Sequence, residues 1–362
     1  MTTQRFIKKL THQLFPRDES EQSFDKLHDF LHNKRILITG AGGFIGQELI
    51  HQIMPHSPQC LLALDQQELG LHQLLTRYEL NNAPLNPTLK LILGSTLDKV
   101  LLKNIFEQYK PEVIFHAAAY KHVYLVEQNP HFSFMNNVLG TQLVTQMAID
   151  HEATHVILIS SDKAIQPVNA MGISKNLSEC LMGYFAQVQT KTDCLIVRFG
   201  NVFGSSGSLI TKILSQLKSG HPITVTHPEA ERFFMSVNEA IDLTLQATQL
   251  YHASGDVLAL DMGKPYPILP LIHRVIDLYR EEYGSTSFPS IQEIGLYPGE
   301  RLQELPLIDP SSQATDNPKI YRQTKYLPCP ADEFRGIMRQ LENRWLKHQD
   351  YQDLLDQLYR TT

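Results

Sequence analysis

ILITGAGGFIG, residues Ile36 to Gly46, decides the fold. Four strand-forming residues run directly into glycines at 40, 43 and 46, and a helical pattern of Leu49, Ile50 and Ile53 follows. The spacing G-x-x-G-x-x-G is a variant of the dinucleotide-binding fingerprint. Gly40 permits a tight turn, Gly43 lets the backbone approach a pyrophosphate, and Gly46 lets helix and strand pack closely. The helix start at Phe44 and Ile45 then faces the phosphates with its N–H groups. A second strand, Leu61 to Leu64, ends at Asp65, about twenty residues on, where a carboxylate accepts hydrogen bonds from ribose hydroxyls. Gln66, Gln67 and Glu68 follow with no arginine. A 2′-phosphate would meet negative charge, so the pattern favours NAD over NADP, with NADP as the alternative.

Strand and helix patterns then alternate. Leu89 to Leu93 reads as a strand, and Val113-Ile114-Phe115 as the next, ending in HAAAYKHV. Small Ala117 and Ala118 allow a cofactor to approach the backbone, and Lys121 can reach a substrate. His116 and His122 read as structural. Asn136, Asn137 and Gly140 open a helix. Leu195 to Val197 is another buried strand, with Arg198 and Asn201 at its end and a Gly/Ser-rich loop behind. This alternation predicts a doubly wound parallel α/β sheet.

The centre of the chain is ISSDKAIQPVNAMGISK, Ile159 to Lys175. A buried strand delivers Ser161, Asp162 and Lys163 at its carboxyl end, where open α/β sheets place their ligands. Met171 and Lys175, four apart, share a helix face that can point back at them. The plainer reading is a solvated turn with a helix cap, and this stretch alone does not separate the two.

After about residue 209 prolines break the chain into shorter segments. The organisation expected is a helical extension at 1–33, with Asp18 and Ser20 as caps for its second helix. A dinucleotide-binding domain follows at 34–208, with a return segment at 236–262. A smaller substrate domain takes 209–235 and 263–330, and helices close the chain at 331–362. The extension reads as two amphipathic helices packed on the body or on another subunit, with a weak membrane-surface anchor as the alternative. Net charge is −6, which argues against bulk binding to nucleic acid or anionic membrane. Four scattered cysteines suggest neither a metal site nor disulfides. No apolar run approaches the roughly 20 residues that span a bilayer.

Taken together, TGAGGFIG, HAAAYKHV, NNVLGT, SSDK, MGISK, VRFGNVFGSSGS, RFFM, LDMGKP and PGERL resemble the extended short-chain dehydrogenase/reductases over residues 34–308. More closely they resemble the polysaccharide-biosynthesis branch, the UDP-N-acetylglucosamine 4,6-dehydratases and their relatives. The resemblance implies an internal redox reaction on a UDP-sugar with a bound NAD(P). Carbon 4 is oxidised, water is lost across carbons 5 and 6, and carbon 6 is reduced. It implies that Ser161 orients the 4-hydroxyl, Asp162 is the acid that expels water and Lys163 the base at carbon 5. Those jobs need a raised Asp pKa and a lowered Lys pKa. Lys175 reaches both the nicotinamide ribose and the substrate. Met171 replaces the usual tyrosine and, as a thioether, cannot act as a base. Lys121, Asn201, Arg232, Glu300 and Arg301 are the substrate-binding candidates.

Two departures stand out. Ser95 occupies the place of an adenine-binding Asp. Gln303, Glu304 and Leu305 replace Tyr-Glu-Glu, which bears on substrate contacts more than on chemistry. The resemblance also implies a homo-oligomer, and a cytoplasmic, soluble enzyme without the membrane-spanning region of the large members. The competing readings are a nucleotide-sugar 4-epimerase or dehydrogenase, and an inactive NAD-binding sensor or scaffold.

Overall fold

The computed structural model describes residues 3–15, 24–80, 88–284, 289–325 and 327–359. The caps expected at Asp18 and Ser20 lie outside these residues. Six strands carry the first half: β1 (Arg35–Thr39), β2 (Cys60–Asp65), β3 (Leu89–Leu93), β4 (Val113–His116), β5 (His155–Ser161) and β6 (Asp193–Phe199). They form a nine-stranded sheet ordered Gln313–Ala314, Ile320–Thr324, Asp256–Leu260, β6, β5, β4, β1, β2, β3. Every pairing is parallel except the two made by Ile320–Thr324. The strand order reverses between β1 and β4, so a crevice opens at their carboxyl ends.

The central strands are almost wholly apolar because helices cover both faces. Ile36 and Ile38 point into one core layer with Leu49, Ile53 and Ile157. Leu37 points into the other, with Ile114, Leu158, Leu177 and Leu181. The C-terminal helices Ala331–Leu346 and Gln352–Tyr359 complete this second layer. Their stripe of Phe334, Ile337, Leu341, Trp345, Leu354, Leu355 and Leu358 is buried, and Trp345 stacks on Phe134 at 5.4 Å.

A third core lies away from the sheet and joins helices Leu209–Ser219 and Ile268–Tyr283 to the N-terminal helix Thr3–Leu14. Phe6 and Leu10 are buried there, and Phe15 meets the rings of Phe203 and Tyr266 at 5.3 and 5.5 Å. Helix Phe24–Leu31 instead buries Leu27 and Leu31 against the sheet layer containing β1.

One expected boundary differs. Residues 313–324, expected in the substrate part, form the sheet's antiparallel edge. Only Ile320 and Gln323 of IYRQT are buried, so this strand, next to the two-residue edge, has too weak an apolar pattern to announce itself. Among the described residues no helix is long and apolar enough to cross a membrane.

Candidate active site

A cleft of about 1340 Å³ runs over the carboxyl ends of the strands. One end is floored by Gly40, Gly42, Gly43, Phe44 and Ile45 and flanked by Asp65, Ala117 and Ala118. Helix Phe44–Ile53 starts from an extended Gly43 with no side-chain capping hydrogen bond, and its first turn lines the cleft. Gly46 does not line the cleft. A Cβ there would fall 2.2 Å from the Gly40 carbonyl oxygen, so its hydrogen is what lets the helix sit on the strand. Asp65 accepts the N–H groups of Gly42 and Gln67, each at 2.8 Å, which pins its carboxylate at the rim. Gln73 and Arg77, on helix Glu68–Leu80, also line this end. Arg77 had no sequence signal beyond lying on the following helix. Ser95 lines the cleft while its hydroxyl accepts the Leu97 N–H, and nearby Asp98 caps helix Lys99–Tyr109.

The middle of the cleft is built by β5 and helix Ala170–Val188. Ser161, Lys163, Met171 and Lys175 line it. Asp162 sits behind Ser161 and Lys163, 5% exposed. Its Oδ1 accepts the Ser161 hydroxyl at 2.7 Å. Asn169 caps the helix by accepting the Gly172 N–H at 2.7 Å. Gly172 lies so close to Lys163 that a Cβ would come 2.4 Å from the Lys163 carbonyl oxygen. The M-G-I-S-K spacing therefore brings the helix hard against the turn that carries Asp162 and Lys163.

Lys163 is surrounded by acceptors. Its Nζ is 3.1 and 3.2 Å from the two Asp162 oxygens, 3.1 Å from Asn201 Oδ1 and 3.0 Å from Glu304 Oε1. This reverses an expectation. Burial alone would lower the Lys163 pKa, but Asp162 and Glu304 outweigh it and hold the ammonium above the ordinary lysine value. Burial raises Asp162, as expected, against the pull of Lys163. Lys175 is the lysine that burial brings down, to about 8, against the opposing pull of Glu179. Its Nζ donates to the Ile159 carbonyl at 2.6 Å.

Glu179 lies beneath, fully buried. It accepts from Ser160 at 2.6 Å and from Arg198 at 2.7 and 2.5 Å, with Lys325 at 3.2 Å. Burial would raise its pKa, but Arg198 and Lys325 hold it down, to about 2. His116, bound between the hydroxyls of Thr39 and Thr141, is structural, and burial pushes it down to about 3. Asn137 fixes the loop after β4, accepting the Tyr120 N–H and donating to its carbonyl from a π-helical turn, Phe134–Leu139.

At the far end Lys121, Asn201, Arg232 and Glu300 line the cleft. Lys121 donates to Ser205 at 3.3 Å, and Arg232 pairs with Glu300 at 2.6 Å. Arg301 is elsewhere: it does not line the cleft, and its guanidinium donates to the Gln166 carbonyl. Two contributors were missed in the sequence. Glu304 reaches Lys163 from the substrate-side loop. Thr3 and Ile7 of the N-terminal helix form part of the cleft wall beside the Gly204–Leu209 loop.

The family model for polysaccharide biosynthesis proteins matches residues 36–325. The Staphylococcus aureus capsular polysaccharide biosynthesis protein CapD is 38% identical over 294 residues, 80% of this chain and 48% of CapD, so the match spans about half of that relative. The uncharacterized membrane protein MJ1061 of Methanocaldococcus jannaschii is 38% identical over 79% of this chain and 84% of its own length. A UDP-glucose 4-epimerase of Rickettsia akari is 31% identical over 75% of this chain and 77% of its own. Among solved structures, Pen from Bacillus thuringiensis superposes with a TM-score of 0.74 at 27% identity, covering 86% of this chain and 98% of Pen. The dTDP-glucose 4,6-dehydratase DesIV of Streptomyces venezuelae, solved with NAD and TYD, shares the fold at a TM-score of 0.65 and 20% identity, covering 75% of this chain and 87% of DesIV. The strand–glycine–helix cradle, the serine–lysine cleft and a family match over most of the chain agree, and the chain belongs to the polysaccharide-biosynthesis branch of the extended short-chain dehydrogenase/reductases.

Proposed function

We propose that the protein is a nucleotide-sugar 4,6-dehydratase, acting on UDP-N-acetylglucosamine with NAD and giving a 4-keto-6-deoxy sugar nucleotide. The observation that carries the reading is the Asp162–Lys163 pair at the end of β5, Lys163 in the cleft and Asp162 directly behind it. Water loss across carbons 5 and 6 needs a base and an acid together. A 4-epimerase or a simple dehydrogenase needs neither at those carbons.

The bare glycine floor fits a dinucleotide. Gly40, Gly43, Phe44 and Ile45 would hold its pyrophosphate, Asp65 its ribose, and Ala117, Ala118 and Lys175 its nicotinamide half. When bound, that group supplies the oxidising and reducing equivalents for carbons 4 and 6. The chain's own residues handle protons. Lys175, brought down to about 8, is the group able to take the 4-hydroxyl proton where Met171 cannot. Ser161 orients that hydroxyl. Lys163 and Asp162 share a proton across 3.1–3.2 Å. Moving it from Nζ to the carboxylate leaves a neutral amine and a carboxylic acid, the base and the acid that the elimination requires. Burial, which raises Asp162, favours that form.

The test is a proton NMR time course with UDP-N-acetylglucosamine in deuterated water. A new 6-deoxy methyl signal with deuterium at carbon 5 is expected. Conversion to the 4-epimer without a methyl signal would replace this reading with the epimerase. Asp65 also sets the cofactor. Its carboxylate beside a 2′-phosphate costs about 1.4 kcal/mol, so calorimetry should find NAD about tenfold tighter than NADP. Tighter NADP binding would instead make Arg77 the phosphate's partner.

A further inference from the structure

Glu304 reaches the catalytic turn from far along the chain, and everything around it is a donor. Its carboxylate accepts the Asn201 amide at 2.8 and 3.0 Å, the Phe233 N–H at 3.1 Å and the Lys163 ammonium at 3.0 Å, with Arg232 Nε at 3.7 Å. Its side chain is 6% exposed. The segment that carries it is tied down on both sides. The Glu231 N–H donates to the Leu302 carbonyl at 3.1 Å, and the Arg232 guanidinium donates to the same carbonyl at 3.0 Å. Asn169, the cap of the catalytic helix, donates to the Gly299 carbonyl at 2.8 Å. The loop thus bridges the strand that bears Arg232 and the helix that bears Met171 and Lys175.

We propose that Glu304 is a positioning residue: from the substrate-side loop it clamps Lys163 and Asn201 into one geometry, holds Lys163 as a cation, and leaves Asp162 as the carboxylate that takes its proton. The assignment rests on the reading of Lys163 as an acid–base group. Two carboxylates touch the ammonium, and their surroundings are unequal. Glu304 has Asn201, the Phe233 N–H and Arg232 as further donors, so it stays ionised. Among the described residues Asp162 accepts from the Ser161 hydroxyl alone besides Lys163, and it is the more deeply buried. A proton leaving Nζ therefore goes to Asp162, and none is gained or lost by the pair. The charged groups facing Lys163 are Asp162 on its own turn and Glu304 from the loop, with Arg232 behind Glu304 and paired in turn to Glu300.

The test reads the charge of Lys163 directly, independent of turnover. The whole protein is labelled with acetic anhydride across pH 7–11, and acetylation at Lys163 is quantified by peptide mass spectrometry, because only the neutral amine reacts. In Glu304→Gln, which keeps the shape and loses the charge, labelling of Lys163 at a given pH should rise about tenfold or more. Glu304→Asp, which keeps the charge, should label like the unaltered protein. Equal labelling of Lys163 in Glu304→Gln and the unaltered protein, both showing the same thermal melting, overturns the proposal. Raised labelling in Glu304→Gln from a protein that makes no 6-deoxy product upholds the role of Glu304 and removes the dehydratase reading instead. Raised labelling together with product formation upholds both, and the pH profile of turnover in Glu304→Gln should then shift to lower pH.

Discussion

Lys163→Ala is expected to lower formation of the 6-deoxy product by about 10²–10⁴-fold, the range that a positioned base contributes. The variant also leaves Asp162 and Glu304 around an empty space with no ammonium between them, so part of the loss could be structural. Lys163→Arg separates the two effects. A guanidinium keeps the cation and hydrogen bonds to both carboxylates but cannot deprotonate in this range. Lys163→Arg should therefore melt close to the unaltered protein and still fail to exchange the carbon 5 proton with deuterium. Turnover by Lys163→Arg within tenfold of the unaltered protein would rule out Lys163 as the base.

Glu179→Gln is expected to destabilise the fold by about 3–5 kcal/mol at pH 7, because it strands Arg198 and Lys325 without their counter-charge in the core. Urea unfolding measures it. The pH dependence supplies a second check. Glu179 is held at about 2 in the folded protein, below its unfolded value near 4.5. The unfolded chain thus binds more protons across that window, and the stabilisation is fully present above it and drains as pH falls toward 2. The gap between Glu179→Gln and the unaltered protein should shrink over that same interval. A gap that persists unchanged to pH 2 would mean that the loss comes from packing and not from charge.

The parts of this molecule that could be read from sequence were those encoded locally. A strand, three glycines and a helix lie within eighteen residues, so their geometry follows from turn chemistry and periodicity. Ser161, Asp162 and Lys163 sit at a strand end, and the sheet topology carries them to the crevice. The charge of Lys163 could not be read in full, because one of the two carboxylates that hold it, Glu304, lies 141 positions away. In PGERLQEL Glu300 and Arg301 both read as ligand-facing groups, and of the two Glu300 lines the cleft. The bridge between Glu231 and Gln303 sets the loop's register, and Glu304, the next residue, is the side chain that reaches the site. The edge strands at 313–324 were illegible for a different reason: half exposed, they carry little apolar signal.

The twelve-residue N-terminal helix that walls the cleft beside Gly204 has a consequence for how the protein is assembled. A helix of this length is marginal in water by itself. Its partners, Phe203, Leu214, Ile272 and Val275 among them, lie some two hundred or more residues further along. It is made well before these partners and must wait for them before that face is covered. That is a long loop to close, with an entropy cost that its own short-range contacts cannot meet beforehand. One wall of the binding cleft is therefore late in the folding order, and the cleft takes its final shape only after the helix Ile268–Tyr283 has been synthesised.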